Sequence, residues 1–215
     1  MKLSSLRLAS QTAVLVIVFS AAGRPDDSGA AALSRQDLQA KLEYCKTCHG
    51  LSGQGYYGYF PIPRLAGQQT KYLENQLRAF MERRRTNPVM FNVVHGLSPS
   101  MVGALTAHFK DLEPRPIGGG PRDRVAAGRT IYQEGLPESN VPACSACHGQ
   151  EAKGQDEIPR LAGQLFPYTV KELTNWSKER GQGPGSDTSA IMLPTAHNLT
   201  QSQIAAIAVY LSYLR

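Results

Sequence analysis

No stretch of this 215-residue chain alternates apolar and polar residues as a half-buried strand does, which argues against a fold built on sheets. A βαβ pattern is missing too, so a thioredoxin-like setting for a cysteine pair has no support. The apolar run near the N-terminus, Ala13 to Phe19, falls well short of the ~20 residues a membrane helix needs. Cysteine is scarce: there are four, and none lies outside two short motifs. No cysteine is therefore left over for an independent disulfide framework.

Those two motifs are Cys45-Lys46-Thr47-Cys48-His49 and Cys144-Ser145-Ala146-Cys147-His148. Cys-x-x-Cys-His is the attachment signal of c-type haem. Each thiol forms a thioether with a haem vinyl group, and the adjacent His turns its imidazole onto the iron. A zinc site would require pooling the four thiolates, and that leaves the repeated His unexplained. The reading is two covalently bound haem c groups, held by Cys45 with Cys48 and by Cys144 with Cys147.

The N-terminus reads as a secretory leader over residues 1–22. Lys2 and Arg7 supply a basic start, Ala13 to Phe19 the apolar segment, and Ser20-Ala21-Ala22 a small-residue cleavage site. Export suits the chemistry, because haem attachment to c-type apoproteins is completed outside the cytoplasm. The expected location is the periplasm, with the membrane reached only through partners or an uncleaved leader. The formal charge of +6 falls by two when Lys2 and Arg7 leave. Four haem propionates then bring the holoprotein near neutrality. The basic run Arg83-Arg84-Arg85 reads as a solvated helix end or a propionate partner, and no nucleic-acid surface is expected.

The chain repeats itself. Pro63-Arg64-Leu65-Ala66-Gly67-Gln68 recurs as Pro159-Arg160-Leu161-Ala162-Gly163-Gln164, and Tyr72 recurs as Tyr168. Met90, His95, Leu97 and Ser98 recur as Met192, His197, Leu199 and Thr200. Common order and period indicate internal duplication. Between the copies, Pro114 to Pro121 is too rich in Pro and Gly to continue a helix. The expected division is a domain over 23–113, a linker over 114–121 and a domain over 122–215.

Each copy shows three helical stretches. In the first, Ser34 caps a helix running toward Cys45, a second begins near Thr70 with Leu73, Leu77 and Phe80 on one face, and a third starts at Ser98 with Pro99 in its first turn. The counterparts are Arg122 to Glu134, Tyr168 to Arg180 and Thr200 to Leu214, the last opened by a Thr200-x-x-Gln203 capping box.

His49 and His148 are the proximal iron ligands by adjacency to the thioethers. A ligating His donates its other ring nitrogen to a carbonyl or carboxylate, and the candidates are the carbonyls of Pro63 and Pro159. For the distal side, Met90 and Met192 occupy equivalent places in a loop before the third helix, whereas Met81 and Met101 map onto Ser177 and Gln203. His95 and His197 are also paired, and bis-His ligation would give a lower potential than His/Met. Arg85 with Asn87, and Arg180, are candidates for the propionates.

On these residues the chain resembles the class I dihaem cytochromes c of the cytochrome c4 type. The resemblance rests on Cys-x-x-Cys-His, the Pro-Arg-Leu-Ala-Gly-Gln block and a Met shortly before the C-terminal helix of each half. It implies an all-α fold of two tandem cytochrome c-type domains, each a few helices wrapped around its haem. It also implies His/Met ligation with Met90 and Met192 distal, and Pro63 and Pro159 supporting the proximal histidines. Two departures are the long aromatic run Tyr56 to Phe60 and the Gly-rich insertion Gly181 to Gly185.

Two six-coordinate irons leave no open site for a substrate, so the expected function is electron transfer and not catalysis. Donors would be a membrane bc1-like complex or a dehydrogenase, and acceptors a terminal oxidase or reductase. The alternatives are a cytochrome subunit of a sulfide- or alcohol-oxidising dehydrogenase and, further off, a dihaem peroxidase.

Overall fold

Ten α-helices and no β-strand make up the described residues of the computed structural model, which are 33–180 and 188–215. The leader and the Gly181 to Gly185 insertion lie outside them. Residues 33–215 form one compact unit. No helix among the described residues is long and apolar enough to cross a membrane.

In the first half, α1 (Arg35–His49) starts where the Ser34 hydroxyl accepts from Asp37 N at 3.0 Å. It runs through the whole first Cys-x-x-Cys-His motif and stops at Gly50, whose φ of 83° few other residues tolerate. Next come α2 (Thr70–Met81), α3 (Pro88–Val94) and α4 (Pro99–Lys110), the last capped by Ser98 on Met101 N at 3.2 Å. Leu42, Leu73, Met101, Leu105 and Phe109 form the buried core between α1, α2 and α4.

In the second half, a 3-10 turn at Arg122–Arg124 leads into α5 (Val125–Glu134), and α6 (Ser145–His148) carries the second motif. The expected Tyr168 to Arg180 helix breaks at Asn175 into α7 (Phe166–Thr174) and α8 (Trp176–Glu179). Then α9 (Met192–Asn198) precedes α10 (Gln201–Tyr213), whose capping box closes with Thr200 N donating to Gln203 Oε1 at 2.8 Å. α10 is buried on nearly every side, from Ile204 through Ser212, because it packs on both α5 and α7. Gly128 lets α5 and α10 meet: a Cβ there would collide with the Ala206 carbonyl. Tyr132, fully buried beside Tyr210, anchors the same contact.

The two Met residues therefore do not sit in loops as expected. Each belongs to a short helix, α3 or α9, that the sequence disguises with a proline. Pro88 and Pro194 both fall in a first turn, where the missing N–H costs no helical bond.

The repeated Pro-Arg-Leu-Ala-Gly-Gln blocks meet face to face and join the halves. Gln164 Oε1 accepts from Arg64 N at 2.8 Å while its Nε2 donates to Arg64 O at 3.1 Å. Reciprocally, Gln68 Oε1 accepts from Arg160 N at 2.7 Å and its Nε2 donates to Arg160 O at 2.9 Å. Both Gln side chains are buried, so each clamp satisfies backbone groups that water does not reach. Glu113 joins the two buried arginines, bonding Arg160 at 2.7 and 2.8 Å and Arg64 at 3.4 Å.

Candidate haem centres

At the end of α1 the His49 imidazole is buried, and its Nδ1 lies 3.0 Å from the carbonyl oxygen of Pro63. His148 makes the same contact with Pro159, also at 3.0 Å. A carbonyl can only accept, so Nδ1 carries the proton in both rings and Nε2 keeps its lone pair. Burial pushes both imidazoles below the ordinary His range, against the opposing pull of the proline carbonyls. At neutral pH these are uncharged rings aimed by a fixed bond, the form that coordinates a metal.

Around each ring the turn is tight. Gly50 and Gly149 follow the two histidines with φ of 83° and 81°. Gly55 N donates to His49 O at 2.8 Å, Gly154 N does the same to His148 O at 2.9 Å, and Tyr132 OH donates to Gly149 O at 2.6 Å. No two of the four cysteines form a disulfide; Cys45 and Cys144 are half-buried, Cys48 and Cys147 exposed. Among the described residues no three His, Cys, Asp or Glu side chains converge as a metal site. Paired thiols on a helix end, beside a neutral imidazole with a free Nε2, fit a covalently bound haem in each half.

Met90 and Met192 are half-buried, whereas His95 and His197 are exposed. The Asn87 side chain caps α3 by accepting from Met90 N at 3.0 Å. His95 instead stacks against Phe91, ring centres 4.6 Å apart.

Arg85 and Arg180, the candidates for the propionates, also bond one another's halves. They enter a buried network that spans the halves. Arg180 donates from Nε to Glu172 at 2.5 Å, from Nη1 to Tyr72 and Gln76 at 3.0 and 3.1 Å, and from Nη2 to Tyr168 at 3.1 Å and to Glu172. All three nitrogens of its guanidinium are thereby engaged. Arg85 reaches Gln76 at 2.9 Å, Tyr168 at 2.7 Å and Glu172 at 3.2 Å. Burial alone would raise the Glu172 carboxyl, but Arg180, Arg85 and Lys171 override it and hold it at about 2. Burial also pushes the Tyr168 phenol up to about 12. Sequence reasoning missed this network because its partners come from opposite halves; the paired tyrosines were its one visible trace.

The aromatic run departs from the pattern by standing in solvent. A hairpin closed by two 3.0 Å bonds between Tyr56 and Ile62 holds it out, with Tyr59 94 % and Phe60 76 % exposed. Pro63, which bonds His49, follows directly.

Comparison with known proteins agrees with this geometry. The cytochrome c family model matches twice, over residues 22–112 and 125–215. Cytochrome c-552 of Acidithiobacillus ferridurans is 31 % identical over 92 % of this chain and 86 % of its own. Cytochrome c4 of Thiocapsa roseopersicina is 34 % identical over 79 % of this chain and 86 % of its own. The thiosulfate dehydrogenase electron acceptor of Thiomonas intermedia is 34 % identical over 78 % and 77 %. Among solved structures, reduced cytochrome c4 from Pseudomonas stutzeri superposes with a TM-score of 0.73 at 27 % identity, covering 86 % of this chain and all of that one. With two matched domains, two Cys pairs and these relatives, the chain belongs to the cytochrome c family, as a dihaem electron carrier of the cytochrome c4 type with a covalently bound haem c in each half.

Proposed function

We propose that the protein is exported to the periplasm by a leader over residues 1–22 and carries electrons through two His/Met haems. The domains span 23–113 and 122–215, joined by the linker 114–121. His49 and Met90 hold one iron, His148 and Met192 the other, with Pro63 and Pro159 fixing the proximal rings. The observation that carries this is the repeated neutral imidazole, bonded through Nδ1 at 3.0 Å and open at Nε2, in two halves that each retain a half-buried Met. His95 and His197 are the paired rivals, each five residues beyond the methionine of its half. Bound haem supplies the redox couple; the chain holds the ligand set constant, so little rearranges when an electron arrives.

Its partners are redox proteins. Electrons arrive from a bc1-like complex or a dehydrogenase and leave to a terminal oxidase or reductase. A lasting place beside a dehydrogenase is a second reading, supported by the exposed aromatic hairpin at Tyr56 to Phe60 and by the thiosulfate dehydrogenase electron acceptor among the relatives. Absorption spectra of the ferric and ferrous protein test the ligand set. Two haems per chain with the far-red methionine–iron band are expected, and Met90→Ala or Met192→Ala removes half of that band and admits carbon monoxide to one ferrous haem. A band untouched by either substitution refutes the assignment.

A further inference from the structure

The buried network between the halves takes two of its residues from equivalent places in each copy. Tyr72 and Tyr168 stand 96 residues apart, as do Gln76 and Glu172, and each half adds one arginine, Arg85 or Arg180. Where the second copy has a carboxylate, the first has an amide. Gln76 does the geometric part of a carboxylate's task, its Oε1 accepting from Arg85 at 2.9 Å and from Arg180 at 3.1 Å. It contributes no charge.

Two guanidinium groups, which stay protonated at any working pH, therefore share one carboxylate in a largely buried interface. The other charged neighbours cancel: Lys171, 3.4 Å from Glu172, pairs with Glu179 at 2.5 Å. Counted over the side chains alone, one positive charge is left over between the halves. Reducing a haem adds an electron at its iron, so a fixed positive charge nearby favours the reduced state, and low dielectric lengthens its reach.

We propose that Gln76 is a potential-setting residue: standing where a second carboxylate would fit, it leaves this charge without a balancing side chain and holds the reduction potentials of the haems above those a carboxylate there would give. The inference rests on the dihaem electron-transfer reading but not on which residues are the distal ligands. Gln76→Glu balances the network without changing its shape, and Gln76→Leu removes the hydrogen bonds without changing charge. In potentiometric titrations of the full dihaem protein, Gln76→Glu lowers both midpoint potentials, while Gln76→Leu leaves them near wild type although stability falls. Unmoved or raised potentials in Gln76→Glu overturn the proposal. So does a shift in Gln76→Leu as large as in Gln76→Glu, which would mark a structural role. The far-red band, read in the same samples, reports the ligand set separately, so failure of the methionine assignment is told apart from failure of this one.

Discussion

Truncating Gln164 to alanine removes three hydrogen bonds at once. Its Oε1 accepts from Arg64 N at 2.8 Å and from Leu165 N at 3.0 Å, and its Nε2 donates to Arg64 O at 3.1 Å. Two backbone N–H groups and one carbonyl lose their partner in a buried site. At the low end of about 1 kcal/mol for each orphaned group, the cost is about 3 kcal/mol. For a protein of this size that lowers Tm by roughly 6–12 °C. The Gln68→Ala change removes an equivalent set, bonds of 2.7, 2.9 and 2.9 Å, and should cost the same within about 1 kcal/mol. Because both clamps hold one interface, the double variant should lose less than the two single losses added together. Urea titrations followed by far-ultraviolet dichroism and by haem absorbance give the free energies. Two probes are needed because the weakened interface should let the halves unfold separately, splitting one transition into two. Gln164→Ala within about 0.5 kcal/mol of wild type would refute the idea that these bonds join the halves.

Other outcomes follow from the same coordinates. Glu172 is held at about 2 in the folded protein against an ordinary 4.5, so its contribution is complete above pH 4.5 and disappears as pH falls toward 2. That contribution is about 3 kcal/mol, and Glu172→Gln should destabilise at pH 7 by at least as much and flatten the acid limb of a stability–pH profile. Gly128→Ala forces α5 off α10 and should cost about 3 kcal/mol by chemical denaturation; a neutral result would mean the helices cross elsewhere. His95→Gln and His197→Gln should leave the spectra and both midpoint potentials unchanged, and loss of a low-spin signal in either would restore bis-His ligation.

Much of the architecture was legible because the chain states it twice. The caps at Ser34, Ser98 and Thr200 depend on neighbours three residues away, so local pattern sufficed. His49 and Pro63 are fourteen residues apart and His148 and Pro159 eleven, still within one loop. The short helices α3 and α9 are harder to read because seven residues are too few for a helical period to show, although the proline of each sits where a helix accepts it. The least legible residues were Arg64, Arg85, Arg160 and Arg180. A charged side chain is read as solvent-facing by default, and only the opposite half, about a hundred residues away, supplies the groups that let these be buried.

The reciprocal glutamine clamps have a genealogical consequence. A contact in which Gln68 grips Arg160 as Gln164 grips Arg64 is self-complementary: one ancestral surface, meeting its own copy across a twofold axis, already contains every bond. A single-domain precursor bearing that surface could pair as a homodimer before any fusion. Joining two copies in one chain relieves the constraint that both sides mutate together. Gln76 opposite Glu172 is a difference that no symmetric dimer of identical chains can hold.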